Sequence, residues 1–285
     1  FLMIRRPPRS TLFPYTTPLP ISIHGSYCTA RARLPEELLR RLARRMGQRL
    51  AGRAEPAWLW KGRVVKVVDG TTVSMPDSEE NQQAFPQHGA QRRGLGFPIA
   101  RLVVVFSLAV GTALDMAIGP YQGKQTGENA LFRSLWDGAL SAGDVLTGDR
   151  YYCSYVDIAW LTQRKVDVVF RKHQLRPTDF RRGRRLGKHD HLVTWRRPQQ
   201  CPSWMDAEAF ASLPAELTLR ELRVTVRDQG MRVRQLVVVT TLLSPRRYSQ
   251  EEIAQLYRQR WNAELDLRSI KSTLKMDVLR TETHE

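Results

Sequence analysis

Between Arg63 and Phe170 short β-branched runs take turns with segments of helical period. RVVKVVDGTTV reads as a strand, and PIARLVVVFSLAVG and ALDMAIGP read as two more, joined at Gly111 and Thr112. The pattern then predicts a helix from Gly127 to Leu140, a strand over DVLTGD, a helix over SYVDIAWLTQRK and a strand over VDVVF. Three strands, a helix, a strand, a helix and a strand form a mixed α/β sheet with a core of its own. From 171 to 248 the period changes. HLVTWR, LRELRVTVRD and RVRQLVVVTTLL alternate with period two and predict an inserted antiparallel β module. A long helix closes the chain, its start marked by Ser249 and Glu252 as an S-x-x-E capping box.

The N-terminal stretch is different in texture. Residues 1–30 read as a disordered or non-native leader, with Pro7, Pro8, Pro14, Pro18 and Pro20 in its first twenty and no strand or helix period. A helical remnant is expected over 31–60. Pro35 opens its helix, Glu36 and Glu37 sit in the positive first turn, and Leu39, Leu42, Met46 and Leu50 make one stripe. Arg40, Arg41, Arg44, Arg45 and Arg49 fall mostly off that stripe. This is either a helix laid along DNA phosphates or a solvated basic face over a small core. The chain opens on Phe1 and stops after Thr-His-Glu, which reads as a fragment.

Charge narrows the partners. With 45 Lys and Arg against 28 Asp and Glu, the net charge is +17, which favours a polyanion through long-range attraction and counterion release. RRGRR at 181–185 adds either a DNA-backbone track or a solvated loop. Cys28, Cys153 and Cys201 make neither a C-x-x-C pair nor an even framework, so structural zinc and a disulfide scaffold are not supported. Cys153 has no evident His partner in sequence, which argues against a thiol nucleophile. Leu102 to Val110 is strand-length, too short to cross a bilayer, and FLMIRRPPRS lacks the apolar run of a signal peptide. The expected setting is therefore a reducing cytoplasm, with no membrane partner.

Three acidic residues stand at places where chemistry could sit. Val65, Val67 and Asp69 share one face of an apolar strand, and Gly70 with Thr71 would let the backbone turn away after the carboxylate. Asp149 repeats the arrangement at the end of DVLTGD. Each is also an ordinary place for a turn former or helix cap. On the closing helix, Tyr257, Arg260, Glu264 and Lys271 fall within a sector of roughly 60° at about 100° per residue, beside an apolar stripe of Leu256, Ala263, Leu267, Ile270 and Leu274. Glu264 is then either a carboxylate reaching toward the sheet or a rung of a surface ladder with Arg260 and Arg268.

YRQRWNAELDLRSIK fits Y-x2-R-x3-E-x6-K through Tyr257, Arg260, Glu264 and Lys271, VVDGTTV resembles a first-Asp block, and TGDRYY a second-Asp block with Arg150 after the Asp. In this order, and with a β-rich insertion between the second Asp and the Glu, they resemble the DDE transposases of the bacterial insertion-sequence-four family. The resemblance implies an α/β fold with a ribonuclease-H-like mixed sheet and helices, interrupted by an inserted antiparallel β module. Residues 61–170 would be its first part, 171–248 the insertion, and 249–285 the catalytic helix of a truncated C-terminus. It implies a transposase that cuts DNA at transposon ends and transfers the strand into target DNA, as a homodimer on DNA. Asp69, Asp149 and Glu264 would hold two Mg²⁺ ions, with Mn²⁺ as a substitute. Tyr257, Arg260, Lys271 and Arg150 would contact DNA phosphates, and Tyr152 belongs to the second block.

Two departures stand out. Relatives that form a DNA hairpin carry a Trp on the last insertion strand, where QLVVVTTLL has no aromatic residue; Trp195 and Trp204 lie earlier and read as packing residues. The N-terminal end-binding region is missing or reduced to 31–60. Two alternatives stay open, another ribonuclease-H-like DNA nuclease and a non-catalytic basic DNA-binding protein.

Overall fold

The strand that organises the molecule is β1 (Val65–Ser74), in which Val65, Lys66, Val67 and Val68 are all buried. Burial of consecutive residues means that both faces of the strand are covered there. The computed structural model of the chain describes residues 33–92, 94–226, 234–260 and 278. β1 pairs antiparallel with β2 (Ile99–Ser107), which pairs antiparallel with β3 (Ala113–Pro120). On its other side β1 runs parallel to β4 (Val145–Gly148), and β4 parallel to β5 (Asp167–Arg171). The parallel neighbours need crossovers, and helices supply them.

The predicted helix from Gly127 to Leu140 is two short ones, α3 (Glu128–Ser134) and α4 (Trp136–Ala139), meeting at Leu135. The break turns Phe132, Leu135, Trp136 and Ala139 all inward. α5 (Tyr155–Gln163) follows, with Ser154 capping its start by accepting from Asp157 N. These three helices cover the face that carries Val68, Val103, Val105 and Leu146. The opposite face, with Val65, Val145 and Val169, is covered by α7 over 250–260 through Ile253, Leu256 and Tyr257. The capping box forms as expected: Glu252 N donates to Ser249 Oγ, and Ser249 N donates to Glu252 Oε2 at 2.8 Å.

The strands of the insertion do not form a layer of their own. β6 (Arg184–Gly187), β7 (Asp190–Arg196), β8 (Glu216–Val226) and β9 (Arg234–Thr240) continue the same sheet, in the order β3-β2-β1-β4-β5-β9-β8-β7-β6. The join is β9 against β5, with Phe170 opposite Val239. Both faces carry on across it. Val239 and Leu219 extend one apolar layer, and Val238 and Leu222 the other. Buried charge pins the far strands. Arg220 is 0% exposed, grips Asp190 with two nitrogens, and donates to the Tyr248 carbonyl at 2.6 Å. Lys172 Nζ reaches both oxygens of Glu221, at 2.7 and 2.6 Å, and Trp195 Nε1 donates to Glu221 Oε1. Such pairs hold one geometry because an unpaired buried charge is costly.

Several elements differ from the sequence expectation. β1 does not turn away at Gly70 and Thr71; it runs on to Ser74, held by β2 through Ser74 opposite Ile99. α2 (Glu79–Ala84), α6 (Ala207–Ser212) and β6 fall in stretches with no readable period. α1 (Glu36–Ala51) is where Pro35 and the acidic first turn predict it, but its inward face is another one. Leu42, Met46 and Leu50 are exposed, whereas Gly47 is buried and Arg44 pairs with buried Asp115 at 2.8 Å. The reason is close approach: a Cβ on Gly47 would stand 2.3 Å from the Ala113 carbonyl oxygen.

Candidate active site

The pairing of β1 with β4 ends at Val67 opposite Thr147. Two residues further along each strand stand Asp69 and Asp149. In a parallel pair, equal steps from a matched register keep side chains on one face, so the two carboxylates share the sheet face that α7 covers. Asp69 is a mid-strand residue, and it lies at a rim because β4 stops at Gly148 while β1 continues along β2. Asp149 caps a 3-10 turn, Arg150–Tyr152, by accepting from Arg150 N. Asp69 Oδ1 accepts from Gly70 N at 3.0 Å.

α7 brings two more predicted residues here. Ile253, Leu256, Tyr257 and Arg260 follow the i, i+3, i+4, i+7 rhythm and are all buried. Arg260 Nη1 lies 4.0 Å from Asp69 Oδ1. Tyr257 and Arg260 are 1% and 3% exposed. Burial, with Asp149 adding to it and Arg260 opposing it, pushes the Tyr257 hydroxyl up to about 12. Arg150 is on the rim, donating to Gln174 Oε1 at 2.8 Å, with its guanidinium 5.4 Å over the Tyr151 ring. Glu264 and Lys271 lie outside the described residues.

Glu128, absent from the sequence expectation, belongs to the same group. It opens α3 on the opposite face, where Gly70 gives it room: a Cβ at Gly70 would meet the Glu128 carboxyl carbon at 2.7 Å. Burial raises its pKa first, the Arg101 guanidinium opposes this, and the Asp149 charge raises it further. Tyr152, 1% exposed, reports the same field. Its hydroxyl is raised well above the ordinary range by burial and then by Glu128, Asp69 and Asp149. The Glu at the start of the expected helix was visible in sequence, but nothing there tells which strand that helix end faces.

Cys153 is 5% exposed, and burial pushes its thiol up to about 12, which removes it as a nucleophile at neutral pH. Trp195 and Trp204 are packing residues, Trp195 bound to Glu221 and Trp204 stacked on Trp160 under Arg133.

An antiparallel meander of β1 to β3 with two parallel strands after it is the mixed sheet of a ribonuclease-H-like fold. The chain belongs to the DDE transposases: the family described as Transposase DDE domain matches residues 60–285. It is also similar to the transposase InsG for insertion sequence element IS4 of Escherichia coli (strain K12), 28% identical over 254 residues, which are 88% of this chain and 53% of that protein. The chain thus spans about half the length of the curated relative it matches.

Members of this family generally use divalent metal ions. Asp69 and Asp149 offer the hard oxygen donors such ions take. Among the described residues no group of three His, Cys, Asp or Glu side chains is spaced to hold a metal ion. Among those residues, too, no helix is long and apolar enough to cross a membrane.

Proposed function

We propose that this chain carries the catalytic core of a transposase that cuts DNA strands at transposon ends and joins the freed end to target DNA. The observation that supports the reading is the parallel register of β1 and β4, which ends at Val67 opposite Thr147, two residues before Asp69 and Asp149. Asp69, Asp149 and Glu264 would hold Mg²⁺, two ions with Mn²⁺ as a substitute; when bound, the ions activate an attacking oxygen and stabilise a leaving one at phosphorus. In the first step a water oxygen bonds to phosphorus and the bond to the 3′-oxygen breaks, leaving a 3′-hydroxyl. In the second that hydroxyl attacks a target phosphodiester in the same way. Arg260, beside Asp69, orients that carboxylate and offsets the negative charge that gathers as the phosphate enters. Arg150 and Lys271 contact the backbone next to the cut. Pairing of two copies on DNA and a place at the bacterial nucleoid complete the reading.

Asp69→Asn, Asp149→Asn and Glu264→Gln should each abolish nicking of duplex DNA in Mg²⁺ or Mn²⁺ with the fold intact. Their DNA affinity should be equal or higher, since each removes a negative charge near phosphates. Full cleavage by any one of them overturns the assignment. A product gel on target plasmid separates a transposase, which yields joined products, from a hydrolytic nuclease, which yields nicks alone.

A further inference from the structure

At the same end of the sheet, on the α3 side, is a cleft of about 590 Å³ walled by Thr72, Arg101, Tyr121, Glu128, Asn129 and Tyr151. Its polar walls are held rigid. Arg101 Nη1 donates to the Thr126 carbonyl at 2.7 Å, and its guanidinium lies 4.6 Å over the Tyr121 ring. Asn129 Nδ2 donates to the Tyr151 carbonyl at 2.7 Å. Arg101 Nε and Asn129 Oδ1 are buried with no hydrogen-bond partner, a donor and an acceptor left unused beside the cleft. Unsatisfied polar atoms of this kind call for an explanation. Tyr151 is 55% exposed, with the Arg150 guanidinium 5.4 Å from its ring centroid.

A fixed cation, an amide and an exposed aromatic residue are what an unpaired nucleotide needs: a partner for its phosphate, one for its base edge and a stacking surface. Glu128 works against a bare anion but accepts from base amino groups. The volume is that of a small-ligand site, about 300–1,000 Å³, which admits a nucleotide and not a duplex. Glu128 also ties the cleft to the aspartates, through Gly70 and through its coupling to Asp149. We propose that this cleft binds one unpaired nucleotide at the same rim of the sheet as Asp69 and Asp149, its base on Tyr151 and its phosphodiester on Arg101. The inference rests on the functional reading given above.

The test is the affinity of the full chain for a short single-stranded DNA and for a duplex of the same sequence, without divalent metal. Tyr151→Ala should weaken single-strand binding by about 5–150-fold, the worth of one stacked base, and duplex binding by less than about twofold. Tyr151→Trp should restore the single-strand affinity. Equal losses on both DNAs, or no loss on either, overturn the cleft assignment; so does a failure of Tyr151→Trp to restore binding when Tyr151→Ala melts like the parent. The two readings fail separately. If Asp69→Asn still cuts while Tyr151→Ala loses single-strand binding, the cleft stands and the carboxylate assignment falls. If Asp69→Asn is inactive and Tyr151→Ala binds single strands normally, the cleft alone falls.

Discussion

Four residues beyond Asp149 in the sequence, Cys153 invites a catalytic role, but its thiol lies in the core with the residues of α5. Burial decides against it. The thiolate is the reactive form, and with the pKa at about 12 almost none exists at neutral pH, even though Arg176, Lys172 and a backbone bond from His173 pull the other way. Alkylation of the native protein at neutral pH, followed by peptide mapping, should therefore modify exposed Cys201 and leave Cys153 untouched until denaturant is added. Native labelling of Cys153 on the timescale of Cys201 would mean that this part of the core opens. The same contrast explains Gly70. Its missing side chain is what lets the Glu128 carboxylate sit over β1, so a turn-making role is not needed to account for a glycine after the aspartate.

At the scale of elements, α1 is the instructive case. Its leucine stripe suggests the inward face, but the described chain seats the helix through Arg44 and Gly47, with Arg44 neutralising Asp115, whose side chain is 1% exposed. A methyl group at Gly47 would collide with strand backbone, which cannot move aside as a flexible side chain could. Gly47→Ala should accordingly destabilise the protein by about 1–3 kcal/mol despite its better helix propensity. Urea melts of the two proteins check this, and a variant as stable as the parent would show that α1 is not seated on β3. β6 is a second case. Arg184 and Arg185 lie on the last strand of the sheet, where exposed cations also discourage edge-to-edge pairing, while Arg181 and Arg182 engage Asp179 and hold its carboxyl at about 2. The run RRGRR is thus partly occupied by its own loop and edge.

For the whole molecule, the charge of +17 remains the dominant fact in its dealings with DNA. Binding through phosphates releases counterions, so log K should fall against log salt with a slope of about −0.9 for each phosphate neutralised. A titration between low and moderate salt should show a steep fall with little dependence on DNA sequence, and a flat affinity would contradict it. The sheet adds a structural side to this. Because β9 pairs with β5, the basic far strands are part of one continuous body with the strands that bear Asp69 and Asp149. Cutting the chain to remove β6 to β9 should unfold the catalytic half as well, since Val239 and Val238 cap both of its apolar layers.

What the sequence determined by itself is what local periodicity and short spacings encode. Short β-branched apolar runs gave away β1 to β5, period-two runs gave away three of the four later strands, the S-x-x-E signature set the start of α7, and spaced acidic blocks pointed to Asp69 and Asp149. These features involve neighbours along the chain, whose geometry follows from backbone dihedrals and local hydrogen bonds. Tertiary structure alone decided the rest. That β1 runs past Gly70 depends on β2, 25 or more residues away in the paired register. Glu128 meets Gly70, Arg220 is buried against Asp190, and α1 seats itself on a glycine, because packing rewards close approach and charge neutralisation between residues far apart in sequence. No pattern of apolar and polar positions records such partners. They exist only once the sheet has brought its strands together.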